Sequence, residues 1–455
     1  MSTRTRSLPD TPAGRQIGWL LSLADEDDLD AAVADIESRF APSFLAQVPV
    51  TAILEFVGMT PWLKDADLEV SESTPTELKA SLVADGEAKA NIVIKVEEAE
   101  PHRFIEVAFQ PAGPTIGDVI DSAEPLIGSL EDAVNERYEP VRAALGAGGI
   151  LVGVSREGER FVFPLGADAG LLYEIGSITK TFTGLLLAEM VGRGEVSLDD
   201  PIRRYLPNGA TVPMEDDRQI TLEDLATHSS GLPRLAPNML EGCDPNDPYA
   251  HIDADRMYAE LGATTLAYPT GTSNMYSNFG FSLLGHILGL AGEKPFAQLM
   301  AERILEPLGM TRTEFSPKAD DLAQGHMGDQ PAPRWTGETS QGAGCGLEAP
   351  IEDMLTYGEA NADPSSTPVA AAITEAQRAR APMNERTTQC LGWIRLKLRD
   401  GSEALFHNGG TAGFSSSLLV HPPTRTVVVA LCNAGGTSLD AATAGLLAGL
   451  VAEAN

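Results

Sequence analysis

The sequence predicts an α/β (α+β) protein, with helices and antiparallel sheet in two successive domains. Three observations predict it. Apolar residues recur at helical spacing near the start, at Ile17, Leu20 and Leu21, then at Ala32, Val33 and Ile36. Four alternating runs follow, "ADLEVSES", "ELKASLVAD", "KANIVIKVEE" and "RFIEVAF", separated by short polar turns. Beyond residue 125, strand-like runs lie at both ends of a long helical middle, which requires one sheet built from distant segments of chain.

Taken in order, residues 12–47 read as helices. The pattern then changes to alternating strands, from "VPVTAILEFVG" to "HRFIEVAFQ". Helices followed by a meander make a small α+β domain over residues 1–112. "QPAGPTIGD" opens a linker, placed at 113–124. The second domain, 125–455, begins with a helix at about 125–145 and the strands "GGILVGVSR" and "RFVFPLG". A buried helix follows, and then a helical, loop-rich stretch. The closing strands are "QCLGWIRLKL", "ALFHNGG", "SSSLLVHP" and "TVVVALCNA", and the chain ends in the helix "LDAATAGLLAGLVAEA". No internal repeat interrupts this plan.

Composition excludes some functions. The 455 residues allow two or three domains and a large core. Against 65 acidic residues stand only 32 basic ones, for a formal net charge of −33. Such a surface repels phosphate backbones and anionic membranes, so neither nucleic acid nor lipid is an expected partner, and a small-molecule substrate is. Cys243, Cys345, Cys390 and Cys432 show no metal-ligand spacing and read as free thiols in a reducing compartment; no metal or cofactor is expected. Arg4 and Arg6 precede "IGWLLSL", which runs into "ADEDD" without a small-residue cleavage site. It fits an amphipathic helix better than a signal peptide, so a cytoplasmic location is expected.

"YEIGSITKTFTG", residues 173–184, carries the chemistry. Phe182, Leu186 and Met190 recur at four-residue spacing, with Leu185, Leu187 and Val191 between them. That helix is apolar nearly all round and belongs inside the protein, ending at Gly192 and Gly194. Ser177 and Lys180, three apart, share a face. Desolvation and the positive helix end both disfavour an ammonium there, and a neutral amine accepts a proton from a neighbouring hydroxyl. The bland alternative is an N-capping serine and a lysine that snorkels to water.

Two further motifs follow in order. "YSN" covers Tyr276 to Asn278, and "HNG" covers His407 to Gly409. With the connecting text "GEVSLDDPIRRYLP", "ITLEDLATHSSGLP", "YPTGTSNMYSNFGFSLLGHIL" and "ERILEPLGMTRTEF", the chain resembles the serine β-lactamase and penicillin-binding-protein superfamily, most of all its class C and DD-peptidase/esterase branch. The resemblance implies Ser177 as nucleophile, Lys180 as base, and Tyr276 as a proton relay to the leaving group. It implies Asn278 as a donor to substrate and to the lysine, and an oxyanion site from the backbone N–H groups of Ser177 and Gly410. Gly409 and Gly410 let a strand approach the ligand closely. His407 departs from the lysine more frequent at its position. A mostly neutral imidazole makes a weaker anion site, which points away from carboxylated β-lactams and toward esters.

The first domain resembles the cone-shaped fold of steroid isomerases and polyketide cyclases. A similar domain precedes the β-lactamase-like domain of a protein encoded by the clavulanic acid gene cluster. Glu26, Asp28 and Glu37 offer no acid/base pair, so a docking or cleft-shaping role is expected. His228 in "THSSGLP" is expected to order a loop, and Cys345 to pack as a small apolar side chain. The expected activity is acyl-enzyme hydrolysis of an ester or amide of a small intracellular molecule. The rivals are an acyltransferase or peptide cyclase, and a binding protein that kept the motifs but lost turnover.

Overall fold

The computed structural model describes residues 8–25, 32–45, 48, 50, 53, 57, 61–84, 87–111, 116–215, 217–236, 238, 241–244 and 246–454. Contacts divide the chain into Met1–Pro114 and Thr115–Asn455.

In the first unit Thr11 caps the helix Pro12–Ser22, its hydroxyl accepting from Gly14 N at 3.0 Å. The helix buries Ile17, Leu20 and Leu21. A second helix, Val33–Arg39, buries Ile36. Four strands, β1 (Asp67–Ser73), β2 (Glu77–Ala84), β3 (Glu87–Val96) and β4 (Phe104–Pro111), form an antiparallel meander. Strand β2 alternates as its sequence does, with Leu78, Ala80, Leu82 and Ala84 inward. The rings of Phe40 and Phe104 stack in this core with centroids 4.6 Å apart. Of "VPVTAILEFVG", read as the start of the strands, only Val48, Val50, Ile53 and Val57 are described, and the last three are helical. Glu26 and Asp28 lie outside the described residues.

The second unit is built on an eight-stranded antiparallel sheet. Its strands are β5 (Ile150–Arg156), β6 (Glu159–Leu165), β12 (Ala381–Pro382), β13 (Thr387–Gln389), β14 (Ile394–Lys397), β15 (Glu403–Gly410), β16 (Ser415–His421) and β17 (Thr426–Cys432). Between them in the chain fall the short strands β7 (Tyr173–Glu174), β8 (Glu314–Phe315), β9 (His326–Met327), β10 (Gln330–Pro331) and β11 (Leu347–Ala349). The order β12-β13-β14-β15-β16-β17-β5-β6 joins the two ends of the unit, with Val152 opposite Ala430. Both faces are covered, which is why "TVVVALC" is apolar at nearly every position. Val428, Ala430 and Cys432 pack in one core with the helices Leu130–Arg142 and Asp440–Ala454. Val427, Val429 and Leu431 pack in the other, with the helices Thr179–Gly192 and Ile351–Ala362.

Two expectations need correction. The segment 113–124 is not simply a linker: residues Ile116–Asp121 form a helix that packs on the C-terminal helix, because Ile116, Val119 and Ile120 are apolar on one side. Residues 113–115 lie outside the described residues. "QCLGWIRLKL" is not one strand either. It breaks between Gln389 and Ile394, where Gly392 takes φ +80° and lies against the backbone carbonyl of Lys180. A Cβ there would sit 2.2 Å from that oxygen, so the turn depends on glycine.

Candidate active site

Ser177 lies in a single 3₁₀ turn, Gly176–Ile178, that leads directly into the helix Thr179–Gly192. Every residue of that helix from Thr179 to Ala188 is buried. Gly176 has φ +51°, and a Cβ on it would stand 2.7 Å from Gly410 N. A Cβ on Gly409 would stand 2.0 Å from Ile175 O and 2.9 Å from Ser177 N. The turn and the end of β15 therefore touch backbone to backbone, which brings the amides of Ser177 and Gly410 close together. Ser416 on β16 holds the turn down, its hydroxyl donating to Ile175 O at 2.8 Å.

Lys180 is wholly buried, which removes the snorkelling alternative. Its Nζ lies 3.1 Å from Ser177 Oγ, 2.8 Å from Asn278 Oδ1 and 2.5 Å from the carbonyl oxygen of Ala343. It also lies 4.8 Å from the centre of the Tyr276 ring. Burial, and secondarily the charge of Arg234, push its pKa well below the usual lysine range. A neutral amine has two N–H donors and one lone pair. The two carbonyl acceptors take the donors and leave the lone pair for the Ser177 hydroxyl.

Asn278 opens the helix Asn278–Ala291, which Ser277 caps by accepting from Gly280 N at 2.9 Å. Tyr276, just before it, is half-buried. Burial raises its pKa, while a hydrogen bond with Ser177 and the charge of Arg234 oppose the rise. The phenol is therefore protonated at neutral pH, and among these side chains the neutral Lys180 is the better proton acceptor. His407 is 3% exposed on β15, with Nδ1 donating to Asn408 O at 2.6 Å. Burial, then the nearby Lys180, lower its pKa to about 3, so the imidazole carries no charge at neutral pH.

The structure thus brings Ser177, Lys180, Tyr276 and Asn278 together, with the Gly409–Gly410 end of β15 against Ser177. Sequence reasoning missed the Ala343 carbonyl, which no side-chain motif marks. It also missed Arg234, whose guanidinium lies 5.1 Å from the centre of the Tyr276 ring. His228 does order its loop: it takes φ +58°, and Nδ1 accepts from Ser277 N at 3.0 Å. Its ring also packs on Tyr276, at 4.5 Å. Behind the nucleophile, Glu174 and Glu348 pair directly across β7 and β11, both buried, with Arg334 bonded to Glu348. Cys345 is buried as expected, its thiol donating to Thr336 O. Among the described residues no cluster of three His, Cys, Asp or Glu side chains could hold a metal ion. No helix among them is long and apolar enough to cross a membrane.

The model of the family described as Beta-lactamase matches residues 134–453, and that of "ORF 12 gene product N-terminal" matches residues 8–99. The chain is 37% identical over 146 residues to the D-alanyl-D-alanine-carboxypeptidase/endopeptidase AmpH of Escherichia coli (strain K12), which covers 32% of this chain and 37% of that protein. It thus spans little more than a third of that relative's length. It is 34% identical over 168 residues to Beta-lactamase-like protein 2 of Dictyostelium discoideum, covering 36% of this chain and 29% of that one. A Beta-lactamase of Pseudomonas fluorescens is 25% identical over 280 residues, covering 58% and 74%. With 134–453 matched by one family model and the three motifs meeting in space, the chain belongs to the beta-lactamase family.

Proposed function

We propose that this protein is a serine hydrolase that cleaves an ester or amide of a small molecule through an acyl-enzyme on Ser177. The observation that carries the reading is the environment of Lys180: fully buried, held by two carbonyl acceptors, and 3.1 Å from Ser177 Oγ. As Oγ attacks the substrate carbonyl, its proton passes to Lys180 Nζ and the oxygen–carbon bond forms. The resulting oxyanion is met by the N–H groups of Ser177 and Gly410. Collapse breaks the bond to the leaving group, which takes the proton from Lys180 by way of the Tyr276 hydroxyl. Water then attacks the ester of Ser177 and gives its proton to Lys180; collapse breaks the acyl–Oγ bond, returns that proton to Ser177 Oγ and releases the acid.

The reading extends to substrate preference. With His407 neutral, β15 offers no fixed cation to a substrate carboxylate, which favours esters over carboxylated β-lactams. Four free cysteines, three of them buried, support a reducing, cytoplasmic setting.

Intact-mass analysis after treatment with a fluorophosphonate tests the reading. One adduct is expected, on the peptide that contains Ser177, and none in Ser177→Ala. Absence of labelling in the folded wild type would favour a binding protein without turnover. Equal labelling of Ser177→Ala would move the nucleophile elsewhere.

A further inference from the structure

With His407 neutral, the basic side chain nearest Tyr276 besides Lys180 is Arg234. Arg234 belongs to the loop between the helices Leu222–Ala226 and Ala254–Ala263. Its side chain is exposed, and no carboxylate among the described residues forms an ion pair with it. Exposed arginines are common, but this one is fixed to the catalytic loop by its backbone. Its carbonyl accepts from Asn278 N at 2.9 Å and from Phe279 N at 3.1 Å. The preceding carbonyl, of Pro233, accepts from Ser277 Oγ at 2.7 Å. His228 closes the same loop from the other end, donating from its backbone N to Leu225 O and accepting from Met275 N at 2.9 Å.

The guanidinium is held over the Tyr276 ring, 5.1 Å from its centre. A guanidinium stacked on a ring keeps its edge N–H groups free, in the fork that matches a carboxylate or phosphate. In a chain of net charge −33, a cation with no ion-pair partner among the described residues stands out from a surface that otherwise repels anions.

We infer that Arg234 is the anion-recognising residue of this cleft, and that the substrate is an ester or amide carrying an acidic group outside the scissile bond. This rests on the hydrolase reading above. It differs from recognition along β15 in placing the acid at the Arg234 loop, beside Tyr276.

The experiment compares matched pairs. 4-Acetoxybenzoate against 4-acetoxybenzamide places the acid on the leaving half, and the p-nitrophenyl monoester of succinic acid against p-nitrophenyl butyrate places it on the acyl half. The readout is the acid-to-neutral ratio of kcat/KM, which cancels any general effect of Arg234 on the base. In the wild type we expect a ratio of about tenfold in at least one pair, the size of one charge-assisted hydrogen bond at a solvent-accessible site. Arg234→Gln should bring that ratio to about one, and Arg234→Lys should keep part of it. A ratio at or below one in both pairs, or one unmoved by Arg234→Gln, overturns the inference. Ser177-dependent turnover of the neutral esters reports separately on the hydrolase reading. If no ester is turned over, calorimetric binding of 4-hydroxybenzoate and 4-hydroxybenzamide decides instead. Tighter binding of the acid that is lost in Arg234→Gln upholds the inference, and equal binding overturns it.

Discussion

Lys180 Nζ stands 3.1 Å from Ser177 Oγ with no exposed surface of its own. The relation is enforced from three sides. The helix Thr179–Gly192 is buried from Thr179 to Ala188, Asn278 comes in from the start of the next long helix, and the Ala343 carbonyl closes the remaining direction. A cation in that place is cut off from solvent and, among the described residues, has no carboxylate partner, so the neutral amine is the stable form.

Replacement of the lysine by arginine tests that state directly. Arginine keeps the charge but does not deprotonate, and it does not fit between Asn278 Oδ1 and Ala343 O without displacing one of them. Lys180→Arg should lower kcat/KM for a p-nitrophenyl ester by at least about 10². Tyr276→Phe should cost less, because its phenol is not the base. In the wild type, log kcat/KM should rise with pH and reach its plateau well below the usual lysine range, since the amine must be neutral to act. A rising limb centred near pH 10 would refute the assignment.

Adjacent glycines give a sharper test of the oxyanion site. A Cβ on Gly409 would meet Ile175 O at 2.0 Å and Ser177 N at 2.9 Å, both backbone atoms that cannot swing away. A Cβ on Gly410 meets only Phe414 O, at 3.9 Å, and the amide N–H stays. Gly409→Ala should therefore push β15 away from the nucleophile turn and reduce turnover by about 10² to 10³, the usual cost of one lost oxyanion donor. Gly410→Ala should fold and should label with fluorophosphonate at a rate within about tenfold of the wild type. The reverse order of severity would show that the nucleophile turn and β15 do not meet as described.

The sequence was most legible where pattern and packing say the same thing. "TVVVALC" and "SSSLLVH" are strands buried on both faces, and the Ser177 helix has no polar stripe because both its sides are core. The three motifs named Ser177, Lys180, Tyr276, Asn278 and His407 in advance, since each is a side chain with its own signature. What stayed hidden acts through backbone or through distant juxtaposition. The Ala343 carbonyl sits in a 3₁₀ segment with no periodicity. Arg234 reaches Tyr276 only because residues 228–234 are stitched to 275–279 by hydrogen bonds. Gly392 broke an otherwise convincing strand because its neighbour is the backbone of Lys180, 212 positions earlier by the chain numbering (392 − 180).

The buried carboxylate pair behind the nucleophile should make stability fall with rising pH. Glu174 and Glu348 oppose each other across β7 and β11 with one guanidinium, Arg334, bonded to Glu348. Burial pushes both carboxyls up, Glu174 to about 7 and Glu348 to about 8, and the Arg334 guanidinium bonded to Glu348 places the charge there and the proton on Glu174. The folded state therefore holds a proton that the unfolded chain loses above its ordinary carboxylate range. This contribution to stability is complete at acid pH, declines between about pH 4.5 and 7, and is flat beyond, when neither state holds the proton. Glu174→Gln mimics the protonated form and should not decline. Relative to the wild type, its stability should improve by on the order of 2 kcal/mol from pH 4.5 to pH 8, or roughly 2–6 °C in Tm. Parallel melting profiles for the two proteins would show that Glu174 is ionised throughout.

Substrate class can be tested on the sheet wall independently of Arg234. His407 is 3% exposed and, with its pKa lowered to about 3, neutral wherever the protein is folded at ordinary pH. Protonating it would place a second buried cation within the field of Lys180, so moderate acidification does not restore an anion site on β15. A charge-assisted hydrogen bond contributes on the order of 1.5 to 3 kcal/mol, or roughly tenfold to a hundredfold in affinity. A penicillin carboxylate directed at β15 lacks that term, while a neutral ester has none to lose. Aryl esters also have better leaving groups than amides. The expected outcome at pH 7 is a higher kcat/KM for p-nitrophenyl acetate than for benzylpenicillin. His407→Lys should narrow the gap by raising the penicillin value relative to the ester, because a flexible ammonium on β15 supplies the missing donor. Both constants are to be measured on both proteins, with the ratio as readout, since the new lysine also acts on Lys180. Benzylpenicillin hydrolysed by the wild type more efficiently than the ester would overturn the esterase-like reading and make β-lactam cleavage the better one.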